Sequence, residues 1–334
     1  MSAQIYLEQD NKWKPFELGT AETKQILEEK NIVIHPSAVI GNDVRINADV
    51  RISADVSIGE HVRIGKHVII GKDTMIGKDT FIGKDSVIGN DIRIGESVSI
   101  GEYVRMVKHV IIGKDTMIGK DAFIGNDVRI GNDVRISNNV HIYNDVRIHE
   151  HVRIGKYVSI NKDTMIGEDV SIGKDVSIGE DVRIGESVSI GEYVRIDEYV
   201  RIGKHVIIGK DTMIGKDTMI GRSAIISADV SIGKHVRIGE RVSLDKSVLI
   251  GADTGLSQKV NIGKGVQIGK NVTILPETNI AEDVTIDQWV VICKGVQIGK
   301  LANIGKNAFI ANGLNIGENV TIDEGLIFVE GVDV

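Results

Sequence analysis

Nine histidines, one cysteine and repeating columns of aspartate and arginine are the residues here with reactive potential. Six of the histidines, His61, His67, His109, His151, His205 and His235, occupy one place in a recurring phrase, as in KHVIIGKDTMIG from residue 66. Imidazoles in threes ligate zinc at bonds of about 2 Å. Asp127, Asp145, Asp163 and Asp181 recur every eighteen residues, a spacing that could line up carboxylates for a cation. Arg129, Arg135, Arg147 and Arg153 make the most basic stretch, and Cys293 is the single thiol. Whether any of these groups converge depends on the elements that carry them.

From Ile34 an aliphatic residue returns every six positions as far as Val334, fifty steps without a slip. All are isoleucine except Met106, Leu244, Leu256, Phe328 and Val334. Two residues before each stands a smaller one, usually Val, and the residue after is most often Gly. Each hexad therefore reads as inward Val, outward residue, inward Ile, then a three-residue corner such as Gly-Lys-Asp. Val-x-Ile alternates as a short strand should, and Gly or Asn supplies the backbone angles of a sharp corner. Identical short strands with a corner every six residues cannot form hairpins. They form a coil whose triangular turns of eighteen residues stack in parallel, about 4.8 Å apart. The sequence predicts an all-β, single-stranded parallel β-helix over 34–334, of about 16–17 coils and about 80 Å in length. Residues 1–33 stand outside the period as a small cap, with a strand in IYLEQ and a short helix over Thr20–Lys30 N-capped by Thr20.

This arithmetic disperses the reactive groups. His151 and His205 share a corner but lie three coils apart, about 14 Å, and His141 lies on another side. His149-Glu150-His151 is the one close grouping. Corner histidines are expected to hydrogen-bond to solvent, and the aspartates to cap corner amides and pair with lysines. Acidic neighbours neutralise the arginine patch, and stacking aromatics are absent, which excludes a nucleic-acid footprint. Cys293 fills a corner place most often held by Gly, as a small packed residue.

The hexads over 34–334 resemble the hexapeptide-repeat (bacterial transferase hexapeptide) family. The resemblance implies a left-handed coil, a homotrimer and, for many members, acyl or acetyl transfer from coenzyme A or acyl carrier protein thioesters. In the family's sugar-nucleotide acyltransferases the general base is a histidine two residues after the inward Ile. Here that column holds Glu60, Lys66, Lys72, Asn90 and Glu150, and none of the nine histidines. The family's acetyltransferases build their pockets from loops that leave the coil, and this register has no insertion. Its carbonic-anhydrase-like members hold a metal on three histidines between subunits, a set these dispersed corner histidines do not reproduce. RIGESVSIGEYVR, at 93–105 and again at 183–195, suggests lengthening by internal duplication.

After residue 250 two of the three outer faces are polar, while the first stacks Val291, Phe309 and Ile327 on successive coils. The register runs to the last residue, so either the chain stops short or Phe328, Val332 and Val334 form an open edge for another chain. These six residues are the expected assembly interface. Interleaved charges with a net of −7, one cysteine and no long apolar run indicate a cytoplasmic protein without membrane insertion. The expected function is structural: a β-helical scaffold, spacer or self-assembling subunit whose partner is itself, as homotrimer or by lateral and end-to-end assembly. No cofactor, catalytic residue or metal is expected. The alternative is an acyl- or acetyltransferase of the hexapeptide family with an inter-subunit active site.

Overall fold

The computed structural model describes residues 4–9 and 12–329, in two units, Met1–Thr164 and Met165–Val334. In each unit short strands recur at six-residue intervals and pair in parallel with the strand eighteen residues on, building three sheets. In the first unit Met75 pairs with Arg93, Phe81 with Ser99 and Val87 with Arg105. In the second, Met219 pairs with Arg237 and Asn261 with Asn279. The all-β parallel coil read from the hexads is therefore present in both.

The first unit opens with a hairpin, β1 (Gln4–Gln9) and β2 (Lys12–Glu17), followed by α1 (Ala21–Glu29). Thr20 caps α1, its Oγ1 accepting from the Thr23 N–H at 3.2 Å. β1 joins the coil as an extra rung, with Ile5, Tyr6 and Leu7 in parallel register with Val44, Arg45 and Ile46. Ile5 and Leu7 are fully buried by this pairing. β2 was not anticipated; Pro15 and the lysines of KWKPFE are poor strand formers. It pairs antiparallel on the outer side of β1, an edge position that tolerates proline.

The core of both units is a stack of inward Ile over Ile and Val over Val, nearly all buried. Where Thr replaces the inward Val, its hydroxyl is satisfied within the coil. Thr116 Oγ1 donates to Gly131 O at 3.1 Å, and Thr218 Oγ1 to Gly233 O at 3.1 Å. A buried hydroxyl thus costs the core little.

The corner differs from the sequence expectation. The left-handed residue is the third of the corner, and it is mostly Asp, His, Tyr, Ser or Asn, with φ near +57° at Asp115, His151 and Asp175. Asn and Asp adopt this region most readily after glycine. Gly occupies the first corner place because the next coil passes too close for a side chain. A Cβ on Gly83 would lie 2.4 Å from Gly101 C, and one on Gly89 would lie 1.6 Å from Val107 O. On this geometry Gly89→Ala destabilises the protein by about 1–3 kcal/mol through overpacking. Gly255, an outward strand position with nothing within 4 Å of its added Cβ, accepts Ala with no loss and about 0.5 kcal/mol of gain. Urea unfolding midpoints of the two variants provide the comparison.

Candidate functional site

Because the coil alternates inward and outward residues, every side chain that could meet a partner sits at an outward strand position or on a corner. The corners are occupied by cross-coil pairs. Second-corner lysines reach glutamates one coil away, as in Lys120–Glu102 and Lys204–Glu186, both at 2.9 Å. The hydrogen bond from Lys120 holds the Glu102 carboxyl below the usual carboxylate range. Glu277 lies between Lys294 at 3.2 Å and Lys259 at 3.5 Å, and the Lys294 hydrogen bond, more than Lys259, lowers its carboxyl likewise.

The corner histidines face carboxylates rather than solvent alone. His61 Nδ1 lies 3.5 Å from Asp43 and His67 Nδ1 3.4 Å from Asp49. His109 sits between Asp91 at 3.5 Å and Asp127 at 3.3 Å. The reason is the register: third-corner residues stack on third-corner residues, so the aspartates meet histidines while the lysines meet glutamates. Burial pushes the Cys293 thiol up, which disfavours the thiolate a nucleophile needs.

After residue 250 the outward residues form three ladders. One is of amides: Asn261 Nδ2 donates to Asn279 Oδ1 at 2.6 Å, and Asn279 Nδ2 to Gln297 Oε1 at 2.9 Å. The second, Gln267, Thr285, Asn303 and Thr321, floors a shallow groove edged by Asp287, Asp323 and Glu324. The third is apolar. Val291 pairs with Phe309 and Phe309 with Ile327 on successive rungs, with Phe309 38% and Ile327 68% exposed. Val291 and Phe328 are half-buried, and Val332 and Val334 lie outside the described residues. The structure therefore brings three of the six expected interface residues into one ladder. Phe328 points inward instead, pairing with Ile310 across the rung.

Trp289 was overlooked. It occupies the third corner place two residues before Val291, is 54% exposed and has φ +66°. A bulky side chain in the left-handed region is a conformational outlier. The signal was available, since its column otherwise holds mainly Asp, Asn and His.

Three family models match the chain. The bacterial transferase hexapeptide model (six repeats) matches residues 109–144, 127–162, 163–197 and 211–246. The hexapeptide repeat of succinyl-transferase matches 295–327, and the GMPPB C-terminal domain matches 28–104. No curated protein matches. Among solved structures, LpxA from Acinetobacter baumannii is 19% identical over 64% of this chain and 70% of its own, with a TM-score of 0.26. The UDP-N-acetylglucosamine acyltransferase of Francisella novicida is 21% identical over 59% and 67%, with a TM-score of 0.22. LpxA from Bacteroides fragilis is 20% identical over 51% and 64%, with a TM-score of 0.20. The chain spans about two thirds of the length of these acyltransferases. Among the described residues no helix is long and apolar enough to cross a membrane.

The Trp289 corner yields a direct prediction. Trp289→Asn relieves the left-handed strain and raises stability by about 1 kcal/mol, read as a higher urea midpoint.

Proposed function

Because the chain belongs to the hexapeptide-repeat family of left-handed parallel β-helices, we propose that it uses the family coil as a structural scaffold that associates with copies of itself. The observation that carries this reading is the exposed Val291–Phe309–Ile327 ladder, with Trp289 on the adjoining corner. Apolar residues contiguous on one face are the usual mark of a protein contact, and aromatic residues carry much of the energy of such contacts. The unbroken hexad register of the sequence supports a role as spacer or subunit. The partner is a second and third copy, meeting laterally. A single buried thiol fits a cytoplasmic setting.

A second reading, acyl or acetyl transfer at a site completed between copies, is supported by the family models, which are named for transferases. They speak more for this reading than for a purely structural role. The succinyl-transferase repeat matches 295–327, the stretch that carries Phe309 and Ile327. The residues in the column of the family's histidine base, Lys, Glu and Asn, support the scaffold instead.

Light scattering across a concentration series tests the first reading. The expected result is a trimer or larger species whose midpoint of dissociation rises about tenfold or more in the Phe309→Ser, Ile327→Ser double variant. A monomer at all concentrations would reject the proposal. Saturable binding of acetyl-coenzyme A by the associated protein would transfer the function to the second reading.

A further inference from the structure

The join between hairpin and coil in the first unit holds a cluster of two arginines, a histidine, an aspartate and two aromatic rings. β1 is the rung before the strand Val44–Ile46, so Tyr6 stands beside Arg45 on the outward side. Arg63 occupies the next rung in register with Arg45. The Arg45 guanidinium carbon lies 5.9 Å from the Tyr6 ring centroid and 5.7 Å from that of Trp13 on β2. Tyr6, Asp43, Arg45, His61 and Arg63 together line a depression of about 270 Å³. His61 lies 3.5 Å from Asp43.

We infer that this depression binds the phosphoryl group of a small phosphorylated molecule. Two guanidiniums on rungs about 4.8 Å apart repel each other. Among the described residues neither has a carboxylate within ion-pair distance; Asp43, the acidic group of the cluster, faces His61 instead. Two positive groups are thus held together against their repulsion, and a dianion between them removes that cost. The aromatic rings hold Arg45 by its π-face, which leaves the edge N–H groups as a fixed fork. That fork matches phosphate in a bidentate manner, and its preorganisation lowers the entropy lost on binding. A tetrahedral phosphoryl group offers acceptors to both forks at once, whereas a carboxylate with two oxygens satisfies one. The depression is smaller than the roughly 300–1,000 Å³ of full ligand pockets. It therefore holds the phosphoryl group, and the remainder of the molecule extends into solvent. The other stacked arginines, Arg135 on Arg153, Arg129 on Arg147 and Arg183 on Arg201, pair the same charges without an aromatic neighbour or a hairpin wall among the described residues. They serve as an internal control.

Isothermal titration of the full chain with glycerol 3-phosphate, inorganic phosphate and acetate tests the inference. Glycerol 3-phosphate is expected to bind at least as tightly as inorganic phosphate, and acetate at least tenfold more weakly. Arg63→Gln is expected to weaken binding tenfold or more. Arg45→Lys keeps the charge and the fold but loses the fork, and should weaken binding comparably. The Arg135→Gln, Arg153→Gln double variant should bind as the parent does. Absence of phosphate binding, binding of inorganic phosphate alone, undiminished binding by Arg45→Lys, or an equal loss in the control variant would each overturn it.

Discussion

The closeness of successive coils at the corners is the constraint from which the rest of each unit follows. Each corner is tied in two directions. Gly95 N donates forward to Ile112 O at 2.8 Å, while Asp115 N donates back to Glu96 O at 3.0 Å. Bonds of opposite sense prevent a corner from opening without losing one of them. The first corner residue therefore has no room for Cβ, and the third must turn through the left-handed region. Between corners only a strand of two or three residues remains, one side chain in and one out. The inward ones, stacked Ile on Ile and Val on Val, supply the burial that holds the coil.

The same register dictates how polar chemistry is arranged. A residue at i has residues i−18 and i+18 as its neighbours across the rungs, so the surface is a set of ladders. The signs along a ladder decide whether it is quiet. Lys over Glu and His over Asp are compatible, and amide over amide lets each side chain donate to the next. These exposed ion pairs are individually weak, about 0–1 kcal/mol. Their effect is to keep corners from repelling rather than to bind the coils together. Arg45 over Arg63 departs from this rule, as do Arg129 over Arg147, Arg135 over Arg153 and Arg183 over Arg201, and of these it is the pair where the hairpin places two aromatic rings against one of the guanidiniums.

The hexad period made the fold legible almost residue by residue, since Ile every six positions with Val two before admits only a coil of this pitch. The helix cap at Thr20 was equally readable, because a Thr before an amphipathic run has one obvious use. Two kinds of information were lost. The role of Gly was assigned to backbone angle when it belongs to close approach; both produce the same residue at the same spacing, and only the neighbouring coil distinguishes them. The corner histidines were left to solvent, although counting eighteen residues back from His61 or His67 reaches Asp43 and Asp49. Composition hid β2 and Trp289 alike. Pro15 is unfavourable in a strand except on an edge, where β2 lies, and Trp289 stands out only when its column is read corner by corner.

Scaffold and transferase make different demands on the same surface. A scaffold needs only a contact face, and Val291, Phe309 and Ile327 with Trp289 offer one. An enzyme whose site is completed between copies needs that contact as well, before any chemistry can occur. Self-association is thus common ground, and the choice turns on whether the contact creates a concave site that excludes water and holds a thioester. The neighbours of the ladder bear on this. Its flanking faces carry Asn, Gln and Thr ladders, one of them edged by the carboxylates of Asp287, Asp323 and Glu324, and a base must stand within hydrogen-bond distance of the proton it takes. Trp289 adds a separate constraint. Its left-handed backbone works against stability and its ring is half in solvent, as at the third-corner tyrosines Tyr103, Tyr157, Tyr193 and Tyr199. Trp289 differs from them in lying beside the apolar ladder of Val291, Phe309 and Ile327, the face that both readings would use.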